Sequence, residues 1–232
     1  MRQVSLAVPT YNRFALVLQC IAVALQDECV SEIVLVDDAS TNGAYDLLKE
    51  YEVAFSKLRL YQNAHNLDCY GNKKQAVNLC NFDHVILFDS DNIIDKPYLD
   101  SLFAIPEWDA RTIYAPTFAW PDFDYRAFEG VEVNRKNIVE YLDKPHFLTA
   151  LNTANYMVPK AAYLEAFDPA VKPYTADSIF MAFRLLEKGY TFSFVKGMHY
   201  FHRVHSESHY KLNHHKTGRF YDDVVQELRR LR

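Results

Sequence analysis

Val85-Ile86-Leu87-Phe88-Asp89-Ser90-Asp91-Asn92 is a short apolar run that stops on two carboxylates two positions apart. A run of this length bounded by polar residues reads as a strand buried on both faces of a parallel sheet. Residues two apart leave a strand toward the same side, so Asp89 and Asp91 project together. Such a pair suits a hard divalent cation: Mg²⁺ and Mn²⁺ take oxygen ligands, and Mg²⁺ is usually held by one or two carboxylates with phosphates and waters completing its shell. The competing reading is a polar turn in which Asp91 or Asn92 caps the next segment.

Upstream the same unit recurs. Residues 4–8 read as a buried strand, ended by the turn formers Pro9-Thr10-Tyr11-Asn12 ahead of an apolar-periodic helix over 14–26. Residues 33–36 form a second strand that stops at Asp37-Asp38-Ala39-Ser40-Thr41-Asn42-Gly43, and a helix follows over 44–51. A third strand occupies 58–61, and after a polar loop through Asn66 and Gly71 the residue Asn72 reads as the cap of a helix carrying Ala76, Val77, Leu79 and Cys80. The alternation predicts an α/β fold with a mainly parallel central sheet, flanking helices, and ligands at the carboxyl ends of the strands, where the acidic loops sit. There Asp37 and Asp38 would accept hydrogen bonds from a nucleobase imide or ribose hydroxyls, or would form a capping turn. Arg13, Lys73 and Lys74 stand where a diphosphate would lie, although lysines near a helix start are commonly solvated.

Downstream of residue 100 the alternation blurs among Pro106, Pro116, Pro121, Pro145, Pro159, Pro169 and Pro173. Helices are expected over 161–167 and 179–188, the second closed by Gly189 and followed by a strand over 191–195. Phe220, Val224, Leu228 and Leu231 recur at helical spacing among charges, which makes the C-terminal segment 211–232 an amphipathic helix that docks on the core. With no repeat or Gly/Ser linker, residues 1–232 read as one domain.

Composition narrows the function classes. The 232 residues are 50% hydrophobic and 15% aromatic, enough for a substantial core, and 25 Lys+Arg against 30 Asp+Glu leave a net charge of −5, which disfavours nucleic-acid or anionic-lipid coating. No apolar run approaches the ~18 to 20 residues of a membrane span. The N-terminus shows no secretory signal, and the four cysteines lack C-x-x-C spacing, so reduced thiols and a cytoplasmic location are expected. Six of the nine histidines fall between positions 199 and 215.

Three stretches together carry a resemblance. Val4-Ser5-Leu6-Ala7-Val8-Pro9-Thr10-Tyr11-Asn12-Arg13, Ile33-Val34-Leu35-Val36-Asp37-Asp38-Ala39-Ser40 and the Asp89-Ser90-Asp91 run occur in the order and spacing of the family 2 glycosyltransferases, which the chain resembles most specifically over residues 1–95. The resemblance implies a GT-A, Rossmann-like nucleotide-binding fold and inverting, non-processive transfer of one sugar from a nucleotide-diphosphate donor, a UDP-sugar first, to a hydroxyl acceptor on a glycan, lipid-linked or protein-linked. Residues 1–95 would form the nucleotide-sugar half and 96–210 the acceptor side. Pro9, Thr10, Tyr11 and Arg13 would line the nucleotide with Lys74, and Asp38 would bind the base. Asp89, Ser90 and Asp91 would be the family's D-x-D, contacting ribose and a Mn²⁺ or Mg²⁺ ion. The transmembrane helices and Gln-x-x-Arg-Trp motif of processive synthases are not in this sequence.

Further matches lie downstream. Asp177, in Thr175-Ala176-Asp177-Ser178, resembles the acidic motif at the start of a helix. Ser178 stands where the second carboxylate is usual, so Asp177 would supply the general base alone, and the competing role is an N-cap worth about 1 kcal/mol. Arg203 and His205, in Tyr200-Phe201-His202-Arg203-Val204-His205-Ser206-Glu207-Ser208, resemble the segment that approaches the donor diphosphate and metal. Asn155, in Asn152-Thr153-Ala154-Asn155-Tyr156, and Trp120, in Trp120-Pro121-Asp122, are acceptor-side candidates. Two other functions remain open on sequence: a haloacid-dehalogenase-like phosphatase with Asp89 as nucleophile and Asp91 as acid/base, and a non-catalytic nucleotide- or sugar-binding module, for which Ser178 is the motivating feature.

Overall fold

The computed structural model of the protein describes residues 2–203 and 209–231. The first half follows the expected alternation: β1 (Ser5–Thr10), α1 (Phe14–Gln26), β2 (Glu32–Asp37), α2 (Ala44–Glu52), β3 (Leu58–Gln62), α3 (Asp68–Leu79) and β4 (His84–Leu87). The second half carries α4 (Lys96–Phe103), β5 (Thr112–Ala115), β6 (Phe118–Trp120), β7 (Phe123–Asp124), β8 (Glu132–Val133), α5 (Phe147–Leu151), β9 (Tyr156–Pro159), α6 (Lys160–Ala166), α7 (Asp177–Glu187), β10 (Thr191–Phe194), β11 (His199–Phe201), α8 (His209–Thr217) and α9 (Phe220–Arg230).

Eight strands form one sheet in the order β3-β2-β1-β4-β9-β5-β10-β8. β9 and β8 run against the other six, so the sheet is mainly parallel and passes through both halves of the chain. Every residue of β1 and β2 is buried, as expected for central parallel strands covered on both faces. α1 turns Val17, Ile21, Ala24 and Leu25 inward at helical spacing. A second sheet of three strands, in the order β11-β6-β7, stands beside the carboxyl end of β4 and is tied to it by an antiparallel bridge between Ile93 and Phe201.

Three sequence expectations are corrected. α3 begins at Asp68, four residues before Asn72. Asn72 is therefore a buried helix-interior residue, whose amide donates to the carbonyls of Val36 (3.1 Å) and Thr10 (3.4 Å) and closes the ends of β2 and β1. The C-terminal segment 211–232 is two helices: α8 has no apolar stripe, Gly218 turns the chain at φ +53°, and only α9 is amphipathic, burying Val224 and Leu228. α7 starts at Asp177, two residues earlier than expected, and Gly189 past its end takes φ +80° as anticipated for a helix-terminating glycine.

One buried carboxylate organises the amino end of the sheet. Glu32 accepts hydrogen bonds from Ser5 Oγ (2.6 Å), Asn81 N (2.5 Å), Asn81 Nδ2 (2.9 Å) and Arg59 (2.7 Å). Burial alone would raise its pKa, but these donors hold it below the ordinary glutamate value. A depressed folded pKa supplies stability that is complete above the unfolded value and is lost as pH falls through the folded one. Glu32→Ala is expected to cost about 3 kcal/mol at pH 7, because it strands buried donors. In urea titrations its deficit against the wild type should shrink as the pH falls below 4.5.

Candidate active site

The carboxyl ends of β1, β2 and β4 meet at one cavity of about 550 Å³, lined by Pro9, Thr10, Tyr11, Arg13, Asp38, Asp89 and Ser90. Its loops are fastened to one another. Asn12, at φ +57°, donates its backbone N–H to Ser40 Oγ (2.7 Å) and accepts at Oδ1 from Thr41 N (2.8 Å), which staples the Pro-Thr-Tyr-Asn turn to the acidic loop after β2. Asp37 is spent inside that loop: it accepts from Ser40 N (2.9 Å), Ser40 Oγ and Gln62 Nε2 (3.1 Å). α2 has Gly43 as its N-cap and no side-chain cap, so the acidic pair is not a capping turn. Asp38 faces the cavity, with one oxygen accepting from Asn63 Nδ2 and Leu67 N, both at 2.8 Å. Burial pushes its pKa above the ordinary aspartate value despite those donors.

The Asp89 loop is held from the other side. Asn155 Oδ1 accepts from Asp89 N (2.9 Å), Tyr98 Oη donates to the Asn155 carbonyl (3.2 Å), and Asn155 Nδ2 donates to Thr153 Oγ1 (3.2 Å). Arg203 donates to the carbonyls of Asp91, Asn92 (3.4 Å) and Leu16 (3.3 Å) and to Gln19 Oε1 (2.5 Å). Its guanidinium thus clamps the D-x-D loop to α1 while the residue lines a second cavity of about 700 Å³. Asp89 belongs to the walls of both cavities.

Against Asp89, outside the lining of both cavities, lies a buried ion bridge centred on one of the two lysines that the sequence offered. Lys73, 5% exposed in the middle of α3, places its ammonium 2.8 Å from Asp177 Oδ2 and 3.2 Å from Asp89 Oδ1. Lys74, the residue expected at the nucleotide, is half-buried and takes no part in either pair, because one step along a helix turns a side chain by about 100°. Burial alone would lower the Lys73 pKa, but Asp177 and Asp89 raise it well above the ordinary value, so it is a fixed cation. Burial raises the Asp89 pKa, with Lys73 opposing and Asp91 and Asp177 adding repulsion. Asp177 does not cap its helix: Asn152 Oδ1 accepts from Ile179 N (3.1 Å) instead, which leaves the Asp177 carboxylate to Lys73 and to the Cys69 thiol at 3.8 Å. The Cys69 thiol gave no signal in the sequence, and burial pushes its pKa up.

Asp91 pairs with Arg13 at 2.9 Å. His205 lies outside the described residues, among which no group of three or more His, Cys, Asp or Glu is placed to hold a metal. Trp120 does not line either cavity that Asp89 lines; it sits on the opposite face of the small sheet. Two buried hydroxyls in the first cavity, Thr10 Oγ1 and Ser90 Oγ, have no hydrogen-bond partner among the described residues. Buried polar atoms are rarely left so unless something else completes them.

Residues 5–156 match the profile of the family described as glycosyl transferase family 2. The chain belongs to that family. It is 21% identical over 123 residues to "Glycosyltransferase GlyG" of Streptococcus pneumoniae serotype 4, a match covering 52% of this chain and 41% of that protein. It is 22% identical over 114 residues to "Cholesterol galactosyltransferase" of Borreliella burgdorferi, covering 49% and 30%. Among solved structures, S. aureus TarS 1-349 superposes with a TM-score of 0.67 at 18% identity over 86% of this chain and 59% of that one. Its complex with UDP gives 0.66 at 19% identity over 91% and 63%. The fold is therefore the family's GT-A fold, and the chain spans less than two thirds of the length of each of these proteins.

The raised Asp38 pKa makes a signed prediction. A carboxyl that holds its proton more tightly when folded costs stability while ionised, and the cost disappears as pH falls through the raised value. Asp38→Asn should therefore raise the melting temperature relative to the wild type most at neutral pH, with the difference narrowing on acidification in a series of thermal melts.

Proposed function

We propose that the protein is an inverting, metal-dependent glycosyltransferase that moves one sugar from a UDP-sugar to a hydroxyl of a glycan, lipid-linked or protein-linked acceptor. The observation that carries this reading is the Lys73 bridge, which joins Asp89, a wall residue of both cavities, to the Asp177 carboxylate on α7. The S. aureus TarS complexes with UDP and UDP-GlcNAc support a uridine donor by likeness of fold. The reading keeps the cytoplasmic location expected from the sequence; among the described residues no helix is long and apolar enough to cross a membrane.

In this reading the nucleotide occupies the 550 Å³ cavity, with Asp38 accepting from the base and the orphan Thr10 and Ser90 hydroxyls completed by the donor. Asp89 and Asp91 would hold a Mg²⁺ or Mn²⁺ ion through their carboxylate oxygens, sharing these with Lys73 and Arg13, and two carboxylates with a diphosphate suffice. Such an ion, when bound, offsets the charge growing on the departing diphosphate. Asp177 takes the acceptor hydroxyl's proton as that oxygen attacks the anomeric carbon, while the bond to the diphosphate breaks and its electron pair leaves with the nucleotide. Lys73 holds the Asp177 carboxylate close to Asp89. Arg203 acts through the loop it clamps.

Turnover of UDP-sugars, with Mn²⁺, with Mg²⁺ and with chelator, tests the reading; no nucleotide release under any condition would overturn it. Asp177→Asn should retain donor binding and lose about 10² to 10⁴-fold in transfer, the usual contribution of a general base. Lys73→Met should lower kcat with it while Lys73→Arg recovers part of the loss; equal activity of the Met variant would remove the bridge from the mechanism. In thermal-shift assays Asp91→Asn should abolish the metal-dependent part of the stabilisation by UDP, which in the wild type follows ligand concentration over Kd.

A further inference from the structure

Strand alternation gives the small sheet two unlike faces. Tyr200 and Ala119 point inward, and with Phe123, which is in register with Ala119, they back the larger cavity that Asp89 lines. His199, Phe201, Phe118 and Trp120 point the other way and line a separate cavity of about 450 Å³, with Asp95, Arg126 and Glu129 at its rim. Trp120 is 48% exposed there, its ring resting at 4.8 Å on Phe201, so one large flat apolar face is presented to whatever enters.

The rim is polar, and its one guanidinium is already paired. Arg126 packs over Phe118 and is held bidentately by Asp124, Nε at 2.9 Å and Nη2 at 2.6 Å. His199 Nε2 lies 3.2 Å from Asp95, and Glu129 accepts from Gly197 N at 3.2 Å and Thr117 Oγ1 at 3.3 Å. With its guanidinium already neutralised and two carboxylates at the rim, the cavity disfavours phosphates and nucleotides. An aromatic plate beside carboxylate oxygens and an imidazole is suited to a neutral polyol: a pyranose ring lays its C–H face on the indole while adjacent hydroxyls donate to the rim.

The two faces meet at a short turn. Ala119 and Phe123 pair across it, Asp122 N donates to the Ala119 carbonyl at 2.9 Å, and the Trp120 carbonyl accepts from His202 N at 2.7 Å. Only Pro121 and Asp122 separate Trp120 on the outer face from Phe123 in the wall of the larger cavity. We infer that the outer face of the small sheet is a distal saccharide subsite, which holds an outlying sugar of an extended neutral glycan whose reacting end lies in the cavity with Asp89. The inference rests on the proposed transfer to a glycan, and it assigns Trp120 to recognition of acceptor length in place of the reacting sugar.

Saturation-transfer NMR with maltopentaose, cellopentaose and chitopentaose, in the absence of nucleotide, tests the subsite without calling on turnover, so its failure is distinct from failure of the transfer reaction. At least one pentasaccharide should receive saturation at its ring protons, undiminished by millimolar UDP. Trp120→Ala should weaken that binding about tenfold, and Trp120→Tyr should retain most of it, as aromatic stacking requires. Because the indole is half-exposed, both variants are expected to keep the wild-type melting temperature. Absence of transfer to all three sugars, or equal transfer to the Trp120→Ala variant, overturns the assignment. So does sedimentation showing that Trp120→Ala dissolves a dimer, since the face would then belong to a second copy.

Discussion

A lysine ammonium enclosed by protein is tolerated only with anionic partners at hydrogen-bond distance, and the placement of Lys73 between Asp89 and Asp177 constrains much of the rest. The two carboxylates come from opposite halves of the chain, one from the end of β4 and one from the first turn of α7. Their common cation sits on α3, so three elements must arrive together before the charge is compensated. The constraint explains the unusual polarity of α3. Its interior face carries Asn72 and Lys73 in succession, both buried, one closing the strand ends of β1 and β2 and the other bridging the carboxylates. It also explains why the cap of α7 is supplied from Asn152. An Asp177 engaged in capping would be drawn away from Lys73, leaving Asp89 as its one carboxylate partner among those observed.

How far the sequence discloses this arrangement depends on the range of the interactions. β1, β2 and β4 are legible because strands buried on both faces are continuously apolar and end abruptly at polar turns, and each acidic loop follows directly. The GT-A fold and the residues of the 550 Å³ cavity come with them. β5, β6, β9 and β11 are three or four residues long, the first three ending at Pro116, Pro121 and Pro159, and their pairing joins residues far apart in sequence, such as Leu87 with Tyr156. No local pattern encodes such contacts. The choice between Lys73 and Lys74 fails for a related reason. With α3 begun at Asn72, both lysines fall in a solvated first turn; with α3 begun at Asp68, the phase of the helix turns Lys73 inward and Lys74 aside.

Asn155 and Arg203 show a second limit. Both stand beside the D-x-D loop, as the resemblance implies, yet each spends its hydrogen-bonding groups on protein: Asn155 on the Asp89 amide and Thr153, Arg203 on three carbonyls and Gln19. A motif identifies residue types at a place but not the direction in which they act. Here that direction is toward the loop, which makes these residues its support while they share the wall of the larger cavity with Asp89.

Saturation of hydrogen-bonding groups separates scaffold from site more sharply than burial does. Asp37, Asp38, Asn72 and Asn155 are all buried, and all have protein partners. Thr10 and Ser90, equally buried, leave their hydroxyl oxygens without one among the described residues, a condition that costs roughly 1 to 3 kcal/mol for each such group. His84 Nε2 is in the same condition, but it lies at the far end of β4 against Trp108, so an orphaned atom alone does not mark a site. What distinguishes Thr10 and Ser90 is that their orphaned atoms share one cavity with Asp38 and Asp89. A cost carried twice at one cavity is most simply offset by the molecule that fills it, and in the proposed reading the hydroxyl-rich, charged sugar donor would supply both partners at once.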